Sequence, residues 1–319
     1  MSSNSFSLVT KFVNKLDGVF AEQAKTSVLN TPAALIDFVG ASAVKYPKIA
    51  LDGLGDVDRD GDIVAGGAQL TWSTETMACH RARSFKVHKT DDEETLGAAF
   101  GYISGEFVRT KSVPEADAYR IAKMATTAIN NSEEDEATLS DSTTAAAIKA
   151  AIISMKENEA WDDENMLCFI TPTVKQYLEE DSGSKYAIVQ PGANAPYDDR
   201  FPRYNGMRLI EVPQSRMYTI IDQYDGSTNG GTDETGGHYV KDSSGKDINF
   251  LIVNPASVIQ VVKHEIPRFF APTRADMERY GAEGVWPDGI QWKFDYEIYH
   301  DLFVYDNKVD GLYCHHKAS

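Results

Sequence analysis

The residues best suited to chemistry lie between Gly55 and Gly67, in the run "GDVDRDGDIVAGG", where Asp56, Asp58, Asp60 and Asp62 alternate around Gly61. Carboxylates at positions one, three, five and seven with glycine at six make the first half of a helix-loop-helix calcium loop, which closes with a bidentate Glu at twelve. Counting from Asp56, position twelve is Gly67. The flanks "KYPKIALDG" and "AQLTWSTET" are strand-like, with Pro47 opposing a helix. Lacking the closing ligand and the helices, the run reads as a solvated acidic turn between two strands, and no metal is expected there.

Cysteine and histidine are the next candidates. Cys79, Cys168 and Cys314 are scattered and form no Cys-x-x-Cys pair, so neither a disulfide framework nor a zinc knuckle is indicated. His80 follows Cys79, and His315 and His316 follow Cys314. Adjacent strand residues point to opposite faces, so neighbours of this kind do not converge on one ion or form a nucleophilic pair. His264 and His300 read as partly buried strand residues. The sequence has no Gly-x-Ser-x-Gly elbow, phosphate loop, His-Glu-x-x-His or dinucleotide fingerprint. Gly97, Gly101 and Gly105 fall four apart within a helical period, which predicts close packing of that helix on another backbone. The adjacent pairs Asp162/Asp163 and Asp198/Asp199 sit in polar text and read as solvated turns. No catalytic residue and no cofactor follow from these patterns.

The elements that would carry these residues come in a definite order. The first twenty residues form a short amphipathic segment broken by Lys11, Lys15 and Asp17, unlike the apolar core of a signal peptide. From Tyr46 to Lys89, two extended arms with strand-spaced Leu70, Trp72, Thr74 and Thr76, then Phe85 and Val87, predict a long β-hairpin with an acidic tip. Thr90 and the acids after it cap a helix in which Leu96, Phe100, Ile103 and Phe107 recur at intervals of three and four. Ala118, Ile121, Ala122, Ala125 and Ile129 resume the period beyond Pro114, predicting a long helix kinked or restarted near that proline. The acidic "SEEDEATLSDS" ends it, with a boundary near Ser132.

After a helix in "TTAAAIKAAIISMKENE", "MLCFITPTVKQYLEED" reads as a buried strand, a Thr-Pro turn and a helix. "MRLIEVPQSRMYTII" is a strand broken at Pro213. The stretch from Asp225 to Asp247 is a surface loop with one short strand pair around Tyr239 and Val240. Strands resume in "INFLIVNPASVIQVVKHEIP", and in the aromatic C-terminal stretch "DNKVDG" is a turn between two strands.

Bulk properties narrow the function classes. At 319 residues the chain is long enough for about two domains. Hydrophobic residues at 42% and no apolar run long enough to cross a bilayer make a soluble globular chain the expectation. A net charge of −17 argues against a surface built to grip phosphate backbones. The hairpin and the N-terminal arm lack cores of their own, and an isolated two-stranded ribbon is marginal in water, so both call for a partner surface.

This order of parts resembles the major capsid protein of tailed bacteriophages, of the Hong Kong ninety-seven type. The strings "AKTSVLNTPAALIDFVGASAVKYPKIALDGLGD", "EFVRTKSVPEADAYRIAKMA", "EVPQSRMYT" and "YHDLFVYDNKVDGLYCHHKA" carry the resemblance over nearly the whole chain. It implies an α+β phage major capsid fold: N-terminal arm from Met1 to Lys45, E-loop β-hairpin from Tyr46 to Lys89, and spine helix from Thr90 to Asn131. The axial domain would run from Ser132 to about Asn254. Pro255 to Ser319 would complete the peripheral domain around the spine.

The function implied is structural: self-assembly through pentamers and hexamers into an icosahedral shell around double-stranded DNA, held without sequence readout. The partners implied are other copies of the chain, a separate scaffolding protein, a portal and a decoration protein, with no membrane. The setting is the virion, assembled in a bacterial cytoplasm. In the resembled family the E-loop lies across a neighbouring subunit, so Asp56, Asp58, Asp60 and Asp62 are expected to meet cations such as Lys263, Arg268 and Arg274. Pro114 is the expected bending point of the spine helix. The alternatives are an encapsulin-like nanocompartment shell and, from another class, a calcium-dependent binding module.

Overall fold

The computed structural model describes residues 24–31, 37–39, 42–55, 66–88, 104–180, 186–189, 201–226, 236–270 and 291–318. The amphipathic start of the N-terminal arm, the run 56–65, the first part of the spine helix, the Asp198/Asp199 pair and Arg274 lie outside the described residues.

The spine is the longest helical run described. Residues 104–107 are α-helical, Val108–Ser112 form one π-helical turn, and α1 (Val113–Asn130) follows directly. Phe107, Ser112 and Val113 all keep right-handed helical dihedrals, with φ of −60°, −66° and −61°. The helix therefore does not restart at Pro114. Proline lacks the N–H of the ladder, and the irregularity is taken up by the wider turn just before it. At the other end Ser132 has φ of +61° and the Glu133 amide donates to Ala128 O at 3.0 Å, so the chain leaves the helix at the expected place. Gly105 has open space where a Cβ would stand, so close packing does not explain that glycine, contrary to expectation.

A seven-stranded mixed sheet runs in the order β5-β15-β12-β6-β9-β8-β7. Its strands are β5 (Glu134–Glu136), β6 (Leu167–Ile170), β7 (Tyr186–Val189), β8 (Phe201–Tyr204), β9 (Met207–Glu211), β12 (Ile248–Val253) and β15 (Leu312–His316). Both faces are covered. Leu167, Phe169, Leu251 and Val253 meet Ile121, Met124, Ala125 and Ala128 of α1. Cys168, Ile170, Phe250 and Ile252 meet α2 (Thr144–Glu157) and α3 (Pro172–Glu180) through Ile148, Met155, Val174 and Leu178. Double coverage is why every residue of β6 and β12 is buried and all but Asn249 are apolar.

A second sheet, β13 (Val258–Phe270), β14 (Gln291–Val304) and β4 (Cys79–His88), lays Phe294, Tyr296 and Ile298 on Val108, Val113 and Ala116 of the spine. The hairpin is a third sheet: β2 (Ala43–Leu51) and β3 (Ala68–Thr76) pair antiparallel over nine rungs, and β1 (Asp37–Val39) joins the outer edge of β2. The hairpin therefore ends at Thr76. Phe85 and Val87 lie on β4 in the second sheet, where pairing with β14 covers ten positions.

Two further expectations change. The short strand pair near Tyr239 exists, but β11 (Tyr239–Lys241) pairs with β10 (Ile221–Gln223), which precedes the Gly-rich stretch. The turn "DNKVDG" does not close a hairpin, because β14 and β15 belong to different sheets. Its Gly311 carries the chain past Ser257, with which a Cβ at that position would collide.

Candidate assembly surface and its buried tethers

The hairpin has two faces with different fates. Near its base Val44 and Tyr46 are buried with Met77 against Ile259, Val261, Tyr299 and Phe303. Lys48 on the same face reaches Asp306 at 3.0 Å. On the opposite face the register places Pro47 opposite Trp72, Ile49 opposite Leu70 and Leu51 opposite Ala68. These six apolar residues form one patch across three rungs, and Ile49, Leu51, Leu70 and Trp72 are 60%, 72%, 58% and 56% exposed. Beyond them Leu54 is fully exposed. A contiguous apolar patch on a projecting ribbon marks an interaction surface rather than ordinary scatter. The sequence showed that the ribbon lacked a core, and the register shows which face does.

Beyond this patch the two strand ends that flank the acidic run are pinned together. The Asp52 amide donates to Gly67 O at 3.1 Å, and the Gly67 amide donates back to Asp52 Oδ2 at 2.6 Å. Gly67, where a calcium loop needs its closing carboxylate, thus serves to close the neck of the hairpin loop. Asp56, Asp58, Asp60 and Asp62 lie outside the described residues. Of the expected cations, Arg268 is half exposed and bonds Glu297 on its own chain at 3.2 Å. The Lys263 ammonium lies over the rings of Phe38 and Tyr299, at 5.6 and 5.9 Å.

Buried charge ties the flanking segments to the spine, and sequence reading missed it. Asp117 on α1 is fully buried and accepts from the amides of Lys25 and Thr26 at 2.9 and 3.1 Å, Thr26 Oγ1 at 2.7 Å and Arg216 Nη1 at 3.0 Å. It holds the N-terminal segment and the 3-10 turn Gln214–Arg216 to one helix. One turn on, Arg120 is equally buried and donates to Thr26 Oγ1 at 3.0 Å, while its Nε and Nη2 have no hydrogen-bond partner among the described residues. Asp301 on β14 is buried and accepts from the Ala78 amide at the hairpin base, Tyr119, Lys123 and the Leu302 amide. The only sequence signal for any of these was a charged residue at an apolar-face position of a helix or strand.

The thiols and imidazoles are placed against chemistry. Cys79 is buried while His80 points outward, as strand alternation requires. Cys79 Sγ instead meets His300 Nε2 at 3.5 Å. Burial pushes this thiol up to about 11 and the His300 imidazole well below its ordinary value, the reverse of a thiolate–imidazolium pair. Cys168 and Cys314 are also buried free thiols raised by burial. His315 is buried against Phe250 and bonded to Asn249 at 3.0 Å, and burial lowers its imidazole too.

The linkage has a defined sign. The unfolded chain takes up protons at these histidines from about pH 6.5 downward, and the folded chain does so only at lower pH. Each group still neutral when folded should then remove about 1.4 kcal/mol of stability per pH unit as the pH falls from there. Denaturation midpoints measured at pH 7.5, 6 and 5 should fall. The fall should be smaller for His300→Asn, and an identical pH profile in that variant would refute the assignment.

No family model and no curated protein matches the sequence. Solved structures do match. A chain of the capsid of cyanophage P-SCSP1u superposes with a TM-score of 0.51 at 12% identity, covering 91% of this chain and 87% of that one. A chain from Mycobacterium phage Che8 gives 0.52 at 12% identity, covering 86% and 84%. One from Mycobacterium phage Ogopogo gives 0.52 at 11% identity, covering 92% of each. The likeness covers most of the chain, and the protein has the phage major capsid fold of the Hong Kong ninety-seven type.

Proposed function

We propose that this chain is the major capsid protein of a tailed bacteriophage, assembling with copies of itself into an icosahedral shell that encloses double-stranded DNA. The observation that carries the reading is the exposed apolar face of the hairpin, Pro47, Ile49, Leu51, Ala68, Leu70 and Trp72, on a chain with the capsid fold. In this reading residues 1–45 are the N-terminal arm, 46–89 the E-loop, 90–131 with 255–319 the peripheral domain, and 132–254 the axial domain. The apolar face lies on a neighbouring subunit, and the acidic tip carrying Asp56, Asp58, Asp60 and Asp62 meets a neighbour's cations. Lys263 and Arg268 already have partners on their own chain, and Arg274 lies outside the described residues.

Each contact is modest alone, and a closed shell stabilises it because every subunit is held by several neighbours at once. The net charge of −17 suits DNA held by confinement rather than by a basic lining. A scaffolding protein, a portal and a decoration protein complete the assembly, which forms in the host bacterial cytoplasm and ends in the virion. Negative-stain microscopy of the expressed protein tests the reading: closed shells of uniform size are expected, and a monomer at all concentrations, alone and with its scaffolding protein, would overturn it.

Pro114, just after the π turn, is the bending point of the spine in this scheme. Pro114→Ala restores the missing N–H and should change the rate of shell expansion. An unchanged rate and final diameter would remove the hinge role.

A further inference from the structure

The second sheet carries a further side-chain cluster on the face opposite Phe294, Tyr296 and Ile298. His80 on β4 and His264 on β13 both stand opposite Tyr299 of β14, and Glu297, two residues along β14, projects from the same face. Nε2 of His80 lies 2.8 Å from Glu297 Oε1, and Nε2 of His264 lies 3.2 Å from the same oxygen. The two imidazoles meet edge-on at 5.9 Å between centroids, and both pack on the Tyr299 ring, at 4.8 and 5.7 Å. The three potential ligand atoms lie within 4.8 Å of one another, drawn from three hydrogen-bonded strands separated in sequence by up to 217 residues.

We propose that His80, His264 and Glu297 form a binding site for a divalent transition-metal ion of the zinc type. Two neutral imidazole nitrogens with one carboxylate oxygen suit zinc, cobalt or nickel, whereas calcium and magnesium take oxygen ligands almost throughout. Ligands about 2.0–2.2 Å from a tetrahedral ion stand roughly 3.3–3.5 Å apart, so a modest movement of the rings is needed, opening the histidine–carboxylate distances of 2.8 and 3.2 Å and closing the widest separation of up to 4.8 Å. His80, whose side chain is 53% exposed, is free to make it. Arg268 donates to Glu297 Oε2 at 3.2 Å, which orients the carboxylate and leaves Oε1 for the ion. The fourth coordination position faces solvent. Such an ion would clamp β4, the strand that leaves the hairpin, to β13 across β14.

Titration of the full-length protein with cobalt(II) tests the site, since a tetrahedral site gives visible d–d absorption. One equivalent is expected to bind, to be displaced stoichiometrically by zinc, and to be released on acidification because the imidazoles bind as neutral ligands. His80→Asn and His264→Ala should each abolish the absorption, and Glu297→Gln should weaken binding about tenfold or more. Zinc should raise the melting temperature of the wild type but not of His80→Asn. That exposed substitution keeps the test valid if His264→Ala fails to fold, which melting without metal would reveal. Absence of binding at millimolar cobalt, or unchanged binding in folded His80→Asn, would overturn the proposal. It does not rest on shell assembly, so neither result bears on that reading.

Discussion

Replacing Leu70 and Trp72 together by glutamate should abolish shell formation at concentrations where the wild type assembles, while leaving the melting temperature of the unassembled subunit unchanged. Both side chains project from the face of β3 that no other described part of the chain covers, at 58% and 56% exposure. Charging them removes nothing from the subunit's own core. Burial of one large apolar side chain is worth about 1.5–3 kcal/mol, and tenfold in affinity corresponds to about 1.4 kcal/mol. Losing two such anchors at each contact, with desolvation of the new carboxylates added, should raise the assembly threshold by at least about a hundredfold. Sedimentation velocity and negative-stain microscopy over a concentration series would measure it. Gln69→Glu, which adds one carboxylate to the opposite face of the same strand, is the control and should assemble nearly normally. Shells formed by the double variant at the wild-type threshold would mean that this face is not the contact.

The second large effect is expected at Asp117. Asp117→Ala should destabilise the folded subunit by about 3 kcal/mol or more, because it removes the fully buried partner of the partly buried Arg216 guanidinium and leaves two backbone amides and a hydroxyl without their acceptor. The loss should be local as well as global. Amide exchange should accelerate at Lys25 and Thr26 before it does in β6 or β12, since the segment Lys25–Leu29 is docked on α1 chiefly through this carboxylate. Asn at the same position keeps an acceptor oxygen and should cost less. Chemical denaturation with hydrogen exchange on both variants checks this, and an Asp117→Ala protein as stable as wild type would show that other contacts carry the docking.

Much of the architecture was legible because it follows from local pattern. The period of Ala118, Ile121, Ala122 and Ala125 marks the buried stripe of α1, and "MLCFI" and, apart from Asn249, "INFLIV" are apolar because both faces of the large sheet are covered. The Thr-Pro start of α3 and the break at Pro213 follow from proline's fixed φ and missing donor. What failed to read through was pairing at a distance. Phe85 and Val87 repeat the strand spacing of Leu70 and Trp72, yet β4 leaves the hairpin for β14 more than two hundred residues away. The turn around Gly311 looks like a hairpin turn because turn chemistry is local, while the sheets its strands enter are not.

The sequence by itself determined that the chain carries an acidic turn without a closing calcium ligand, a long strand pair lacking a full core, and a proline inside a long helix, and the order of these parts pointed to the capsid fold. Tertiary structure alone decided which hairpin face stays uncovered, because register fixes the facing and a shift of one residue would exchange the two faces. It alone brought Asp117 to Thr26 and Arg216, and His80 to His264 and Glu297. Residues of ordinary composition acquire those roles only when strands and helices distant in sequence become neighbours in space.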